Sequence, residues 1–182
     1  HAWVVTDNER AFYMAAQRMI DFGLRRIALL NGPAEYTFAL LRQQGYCNAL
    51  SQAMLPVNPE WMVQGHLSET GGFSMAQQLL SLPDRPTALL CATDAMAIGA
   101  MAACRAIGLR VGSDISIMGY GNSDASRYCD PPLSTIERPA AASTTPIRLT
   151  WNRPEITASI EQITKAEMRI IPTLIPARRA AS

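Results

Sequence analysis

The side chains able to ligate a metal or to act as nucleophile and base are few, and their spacing supports neither role. Cys47, Cys91, Cys104 and Cys129 lie far apart in apolar surroundings, with no C-x-x-C pair and no Cys/His cluster that would close a zinc site. His1 and His66 are too few for most metal sets or for a Ser/His/Asp triad, and His66 reads as a solvated loop residue. No nucleophile elbow, phosphate-cradling glycine loop or metal cluster follows any apolar run. The pattern predicts a chain that catalyses no reaction and needs no cofactor or metal. Its dispersed thiols read as buried, free and kept in a reducing compartment.

What remains is binding chemistry, and its place depends on the elements that carry it. From Asp7 to Ile27, apolar residues recur at three- and four-residue steps after the cap candidates Thr6, Asp7 and Asn8, which predicts an amphipathic helix ended by Gly23. Ile27–Leu30 is an unbroken apolar run closed by Asn31-Gly32-Pro33, as expected of a strand buried on both faces. The alternation continues with a helix over about 38–54, a strand near 61–64, a helix from the cap Ser68 through Leu80, and a strand over 87–91. A helix capped by Thr93 or Asp94 runs to Ile107, then come a strand over 114–118, a polar loop over 119–130 and a short β segment over 133–136.

Strand and helix alternating across short connections predict an open α/β fold, a doubly wound parallel sheet covered on both faces. In such sheets ligands sit beyond the carboxyl ends of the strands. The stretches Asn31–Phe38, His66–Ser68, Ala92–Asp94 and Gly119–Asn122 are therefore where binding residues are expected.

The 182 residues are 48% hydrophobic and 17% charged, which excludes wholesale disorder. Sixteen basic against fifteen acidic residues give a net charge of +1, without the cationic excess a nucleic-acid binder needs. The most apolar stretch, 88–109, carries Asp94 and Arg105, so no membrane span is expected. The opening His1-Ala-Trp-Val-Val reads as a piece of a longer protein. Composition changes near Pro139: all 11 glycines fall at or before Gly121, and the tail from Ala140 to Pro154 is loop-like, with one helical spacing at 155–171.

Nine segments in order resemble the C-terminal effector-binding region of LacI/GalR-type bacterial transcription regulators. They are Asp7-Asn8; Arg25 to Pro33; Arg42 with Gly45-Tyr46; Ser68-Glu69 with Gly72-Phe73; Arg85 to Leu90; Asp94 to Ala100; Gly108 to Ser116; Gly119-Tyr120; and Pro131 to Ile136. The resemblance covers residues 1–139 and implies an incomplete periplasmic-binding-protein-like (type I) lobe. It implies that residues 1–24 end an N-terminal lobe, 25–138 form the C-terminal effector-binding lobe, and 139–182 are a divergent, poorly specified tail. DNA would be contacted only through a helix-turn-helix domain absent from this sequence.

The resemblance also implies a site. Arg42 falls where the family's pocket arginine precedes a Gly-aromatic pair, and a guanidinium grips two hydroxyls or a carboxylate with a planar fork. Leu67 is an apolar platform or core. Thr93 is the better ligand contact, and Asp94 the better helix cap. The family usually carries an aspartate after Gly-Tyr; here Gly121 and Asn122 follow, so Asn122 or Asp124 substitutes from a shifted loop, or the effector lacks the group that aspartate binds. Met96, Ile98 and Met101 on the helix from Asp94 line either a homodimer interface or the lobe core.

The implied function is the sensing part of a sugar-responsive, cytoplasmic, homodimeric regulator that binds a small carbohydrate effector. A periplasmic-type sugar-binding protein shares the fold, a truncated fragment that senses nothing is a further alternative, and an α/β enzyme fits worst.

Overall fold

The computed structural model describes residues 7–137 and the backbone of 148–150. Helix α1 (Asn8–Asp21) starts where the Asp7 carboxylate accepts the Arg10 amide at 2.9 Å, and it stops at Gly23, whose φ of +83° favours glycine. Its face of Ala11, Phe12, Ala15, Ala16, Met19 and Ile20 is buried. Then follow β1 (Ile27–Asn31), α2 (Thr37–Gln52), a 3-10 turn (Pro59–Trp61), β2 (Met62–Gln64) and α3 (Glu69–Leu80). The chain continues through β3 (Ala88–Cys91), α4 (Asp94–Ala106), β4 (Ser116–Tyr120), α5 (Asp124–Tyr128), β5 (Ser134–Glu137) and β6 (Arg148–Thr150).

The strands form one sheet in the order β2-β1-β3-β4-β5-β6. Strands β1 to β5 are parallel, with Leu29 opposite Leu90 and Leu89 opposite Ile117, and β6 adds antiparallel to β5. Every residue of β1, β3 and β4 is buried, as a sheet covered on both faces requires. Helices α1 and α2 pack as one pair and α3 and α4 as another. Each pair meets backbone to backbone at glycine. A methyl at Gly45 would overlap the Glu9 carbonyl oxygen, and methyls at Gly72 and Gly99 would overlap the carbonyls of Met96 and Glu69.

The doubly wound α/β expectation is met. Helix α1, in the stretch expected to end an N-terminal lobe, packs on α2, and its Phe12, Met19 and Ile20 join the core built by the strands. Two details differ from what the sequence predicts. The loop expected over 119–130 contains the short helix α5, which a five-residue element is too brief to announce by periodicity. The loop-like 140–154 stretch includes β6, paired with β5 through Ile136 and Leu149. Residues 151–182, including the helical spacing at 155–171, lie outside the described residues.

Candidate ligand-binding site

The chain reverses its direction of travel across the sheet between β1 and β3, the point where a doubly wound sheet opens a crevice at its carboxyl edge. Asn31 ends β1 there, buried, with its side-chain amide donating to the Ala39 carbonyl at 2.8 Å and its oxygen accepting the Gly32 amide at 2.9 Å. These bonds tie the strand end to the start of α2. They also bring Phe38 and Arg42, on the first turns of that helix, over the crevice.

Arg42 is only 8% exposed. Its Nη1 donates to the Ala92 carbonyl oxygen at the end of β3 at 2.8 Å, and its Nε donates to the Asn8 side-chain oxygen at 2.8 Å. Three rings surround the guanidinium: Tyr120 at 4.5 Å, Phe38 at 4.9 Å and Phe12 at 5.1 Å from their centroids. In a dry site, π faces at such distances stabilise a cation electrostatically. The arginine expected in the pocket thus sits at the switch point, braced by α1, β3 and β4.

Leu67 follows β2 and is 38% exposed. It approaches Phe38 across Gly32, where an added methyl would come within 3.2 Å of Leu67 and 3.0 Å of the Phe38 ring. Tyr36 stacks on the same Phe38, with centroids 5.4 Å apart and planes 12° from parallel. Sequence reasoning marked the stretch Asn31–Phe38 but singled out neither aromatic. The signal was an aromatic at the helix start, where a small polar cap is usual.

The helix-cap role expected of Asp94 falls to Thr93, and Asp94 anchors a neighbouring loop. Thr93 is the cap of α4, its Oγ1 accepting the Met96 amide at 3.2 Å. Asp94 is buried and accepts the Ser123 amide at 2.6 Å and the Thr135 hydroxyl at 2.5 Å. It therefore pins the loop after β4 to the starts of α4 and β5. Gly121 in that loop donates its amide to the Ile136 carbonyl at 2.9 Å, and Asn122 donates its own to Thr135 Oγ1 at 3.2 Å. Their φ angles of +129° and +51° make this a left-handed turn, held by one backbone bond and one bond to the Thr135 hydroxyl. No carboxylate occupies position 121, and His66 beside Leu67 is exposed.

Met96 and Met101 point into the lobe core, 0% and 1% exposed, so the core alternative describes them. Ile98 alone of the three is half-exposed. It lines a hollow of about 280 Å³ between α3 and α4 with Phe73 and Ala102, with Glu69 and Arg105 also on the wall. All four cysteines are free, and burial pushes the Cys104 thiol up to about 11 and that of Cys91 further. Among the described residues, no group of three His, Cys, Asp or Glu could hold a metal, and no helix is long and apolar enough to cross a membrane.

A parallel sheet with a buried cation and an exposed tyrosine at its switch point has the layout of a ligand-binding α/β lobe, and comparison with known proteins narrows this. Residues 16–146 match the periplasmic binding protein-like domain, and the chain belongs to that family, as the effector-binding segment of its LacI/GalR-type members. The ribose operon repressor of Haemophilus influenzae is 44% identical over 129 residues, which cover 71% of this chain and 39% of the repressor. The transcriptional repressor PurR of Escherichia coli is 42% identical over 127 residues, or 70% of this chain and 37% of PurR. The chain thus spans about two fifths of the length of these curated relatives. Among solved structures, a LacI-family regulatory protein from Chloroflexus aggregans superposes with a TM-score of 0.72 at 35% identity, covering 78% of this chain and 52% of that one. A complex of the transcriptional regulator CelR with cellobiose has a TM-score of 0.72 at 28% identity, covering 88% of this chain and 47% of CelR.

Proposed function

We propose that the chain is the sensing lobe of a DNA-binding transcription regulator and holds a small hydroxylated effector, a sugar, at the β1/β3 edge of its sheet. The observation that carries this is the Arg42 guanidinium fixed on the Ala92 carbonyl at the switch point, among three aromatic rings. A cation already held in place loses little ordering entropy when a ligand oxygen approaches it. Thr93 Oγ1 accepts from the Met96 amide, which leaves its hydroxyl proton for a ligand acceptor. The names of two relatives, the ribose operon repressor and the repressor PurR, support a transcription regulator, and the ribose of the first with the cellobiose in the CelR complex supports a carbohydrate effector.

In this reading no reaction is catalysed, the protein works in the cytoplasm, and operator DNA is read by a separate helix-turn-helix domain. A homodimer forms through the α3/α4 face, where opposite charges at Glu69 and Arg105 flank the apolar Phe73 and Ile98 and suit a two-fold pairing. Effector closure would shift the dimer between two geometries.

Titration of the chain with a sugar panel, followed by amide chemical shifts, tests the site. Binding should perturb Gly32, Ala92 and Thr93. Arg42→Lys keeps the charge but loses the fork, and should weaken the response at least tenfold with unchanged far-UV circular dichroism. Equal affinity in that variant would overturn the assignment.

A further inference from the structure

The outer seam between α2 and β2 brings two sulfur atoms together. Cys47 lies on α2, and Met62 is the first residue of β2, the edge strand of the sheet. The Cys47 Sγ stands 3.8 Å from the Met62 Sδ, its thiol donating to the thioether. Both side chains are half-buried against the core, so the pair can be reached from solvent. The next rung of the same seam is polar: Gln43, one helical turn before Cys47, accepts at its Oε1 from the Nε2 of Gln64, which follows Met62 on the same side of the strand, at 3.5 Å.

A thiol is a weak donor and a thioether a weak acceptor, so as a hydrogen bond this contact contributes little. As a ligand set it is stronger. A thiolate and a thioether are both soft donors, the combination that selects Cu(I) over harder divalent ions. Two sulfurs 3.8 Å apart, each bonded to one ion at the roughly 2.3 Å of a metal–thiolate bond, subtend about 110° at that ion. That is a bent arrangement, open on its solvent side to a third ligand. The other thiols offer no such pairing: Cys91 and Cys104 are fully buried, and Cys129 donates to the carbonyl oxygens of Ser126 at 3.3 Å and Pro131 at 3.4 Å. Metal-site patterns built on Cys and His pass over the seam, because its second donor is a methionine.

We propose that Cys47 and Met62 form a binding site for one soft monovalent metal ion, Cu(I), bridging α2 to the edge strand β2. The ion takes the place of the thiol proton, which leaves to the buffer, and no electron is transferred. The charges of thiolate and ion cancel, so the half-buried site stays neutral, as its apolar surroundings favour. The bridge ties β2 to the helix that also carries Arg42.

The test is a titration of the reduced 182-residue chain, under nitrogen, with Cu(I) supplied as its acetonitrile complex in competition with bicinchoninate. One equivalent should be held, with sulfur neighbours at about 2.3 Å in X-ray absorption and amide shifts centred on Cys47 and Met62. Met62→Leu keeps the thiol and the packing and should weaken binding at least tenfold, since even outer-shell partners of a metal are worth that much. Its far-UV circular dichroism and melting temperature should be unchanged, which separates loss of a ligand from loss of fold. Cys47→Ser should abolish the uptake, and Cys129→Ser should leave it intact. Undiminished affinity in Met62→Leu would reduce the site to a single thiol and overturn the proposal. So would uptake that survives Cys47→Ser, uptake that disappears in Cys129→Ser, or no uptake by the unaltered chain.

Discussion

The guanidinium of Arg42 donates to the carbonyl oxygen of Ala92 across 2.8 Å, joining the first turns of α2 to the carboxyl end of β3. This one bond places a cation at the sheet's crevice, and it also closes the core there. Arg42→Met keeps the bulk among Phe12, Phe38 and Tyr120 but strips the buried Ala92 oxygen and the Asn8 side chain of a charged donor. The expected loss is about 2–4 kcal/mol of stability, read from urea unfolding. A loss below about 0.5 kcal/mol would show that Arg42 does not brace the fold.

Asp94 holds the loop after β4 in the same sense. Asp94→Ala leaves the Ser123 amide and the Thr135 hydroxyl without their acceptor and should cost about 2–4 kcal/mol. Hydrogen exchange gives the local check: protection of the Ser123 amide should fall at least tenfold more than that of Leu89 in the sheet centre. A uniform fall across both positions contradicts the pinning role.

The α3/α4 contact depends on two missing methyl groups. Gly99→Ala would drive a Cβ into the Glu69 carbonyl, and backbone cannot step aside as a side chain can. A loss of about 3 kcal/mol, at the upper end of overpacking, is expected. Gly23→Ala meets nothing within 4 Å and suffers only its positive φ, about 1 kcal/mol. The melting temperature should fall further for Gly99→Ala than for Gly23→Ala, and the reverse order would contradict the close approach.

Alkaline pH should destabilise the protein through groups that burial keeps neutral. Cys104 is raised to about 11, and Cys91 and Tyr46 are raised further, each chiefly by desolvation. A raised folded-state value means the stabilisation is complete below the ordinary thiol value of 9.0 and is lost as pH climbs toward the folded value. Urea midpoints should be flat from about pH 7 to 8 and fall from about pH 9 upward. Cys91→Ala should flatten the fall; an unchanged slope would remove the thiol from the account.

The α3/α4 hollow offers a test of assembly. Ile98→Asp sets a charge beside Phe73 on the half-exposed face and should shift sedimentation from dimer to monomer, the lobe staying folded. Met96→Asp, by contrast, puts a charge into the core and should unfold it. Dimers that persist in the Ile98→Asp variant would place the contact elsewhere.

Most of the scaffold was legible because its signals are local. The doubly buried runs 27–31 and 88–91, the Ser68 cap and the glycine stop at Gly108 all lie within a few residues of what they specify. The site was legible only in part. Arg42 came from a resemblance over the Gly45-Tyr46 pair, yet the rings that enclose it come from α1, α2 and β4, and no spacing rule joins Phe12, Phe38 and Tyr120. Thr93 and Asp94 could not be ordered as cap and anchor, because the partners of Asp94 lie 29 and 41 residues further on. Met96 and Met101 kept two meanings until burial separated them from Ile98.

The bond from Arg42 to Asn8 has one more effect. Asn8 opens α1, so a single hydrogen bond joins the first residue of that helix to the guanidinium at the sheet's crevice. A pull on that guanidinium is therefore also a pull on the start of α1.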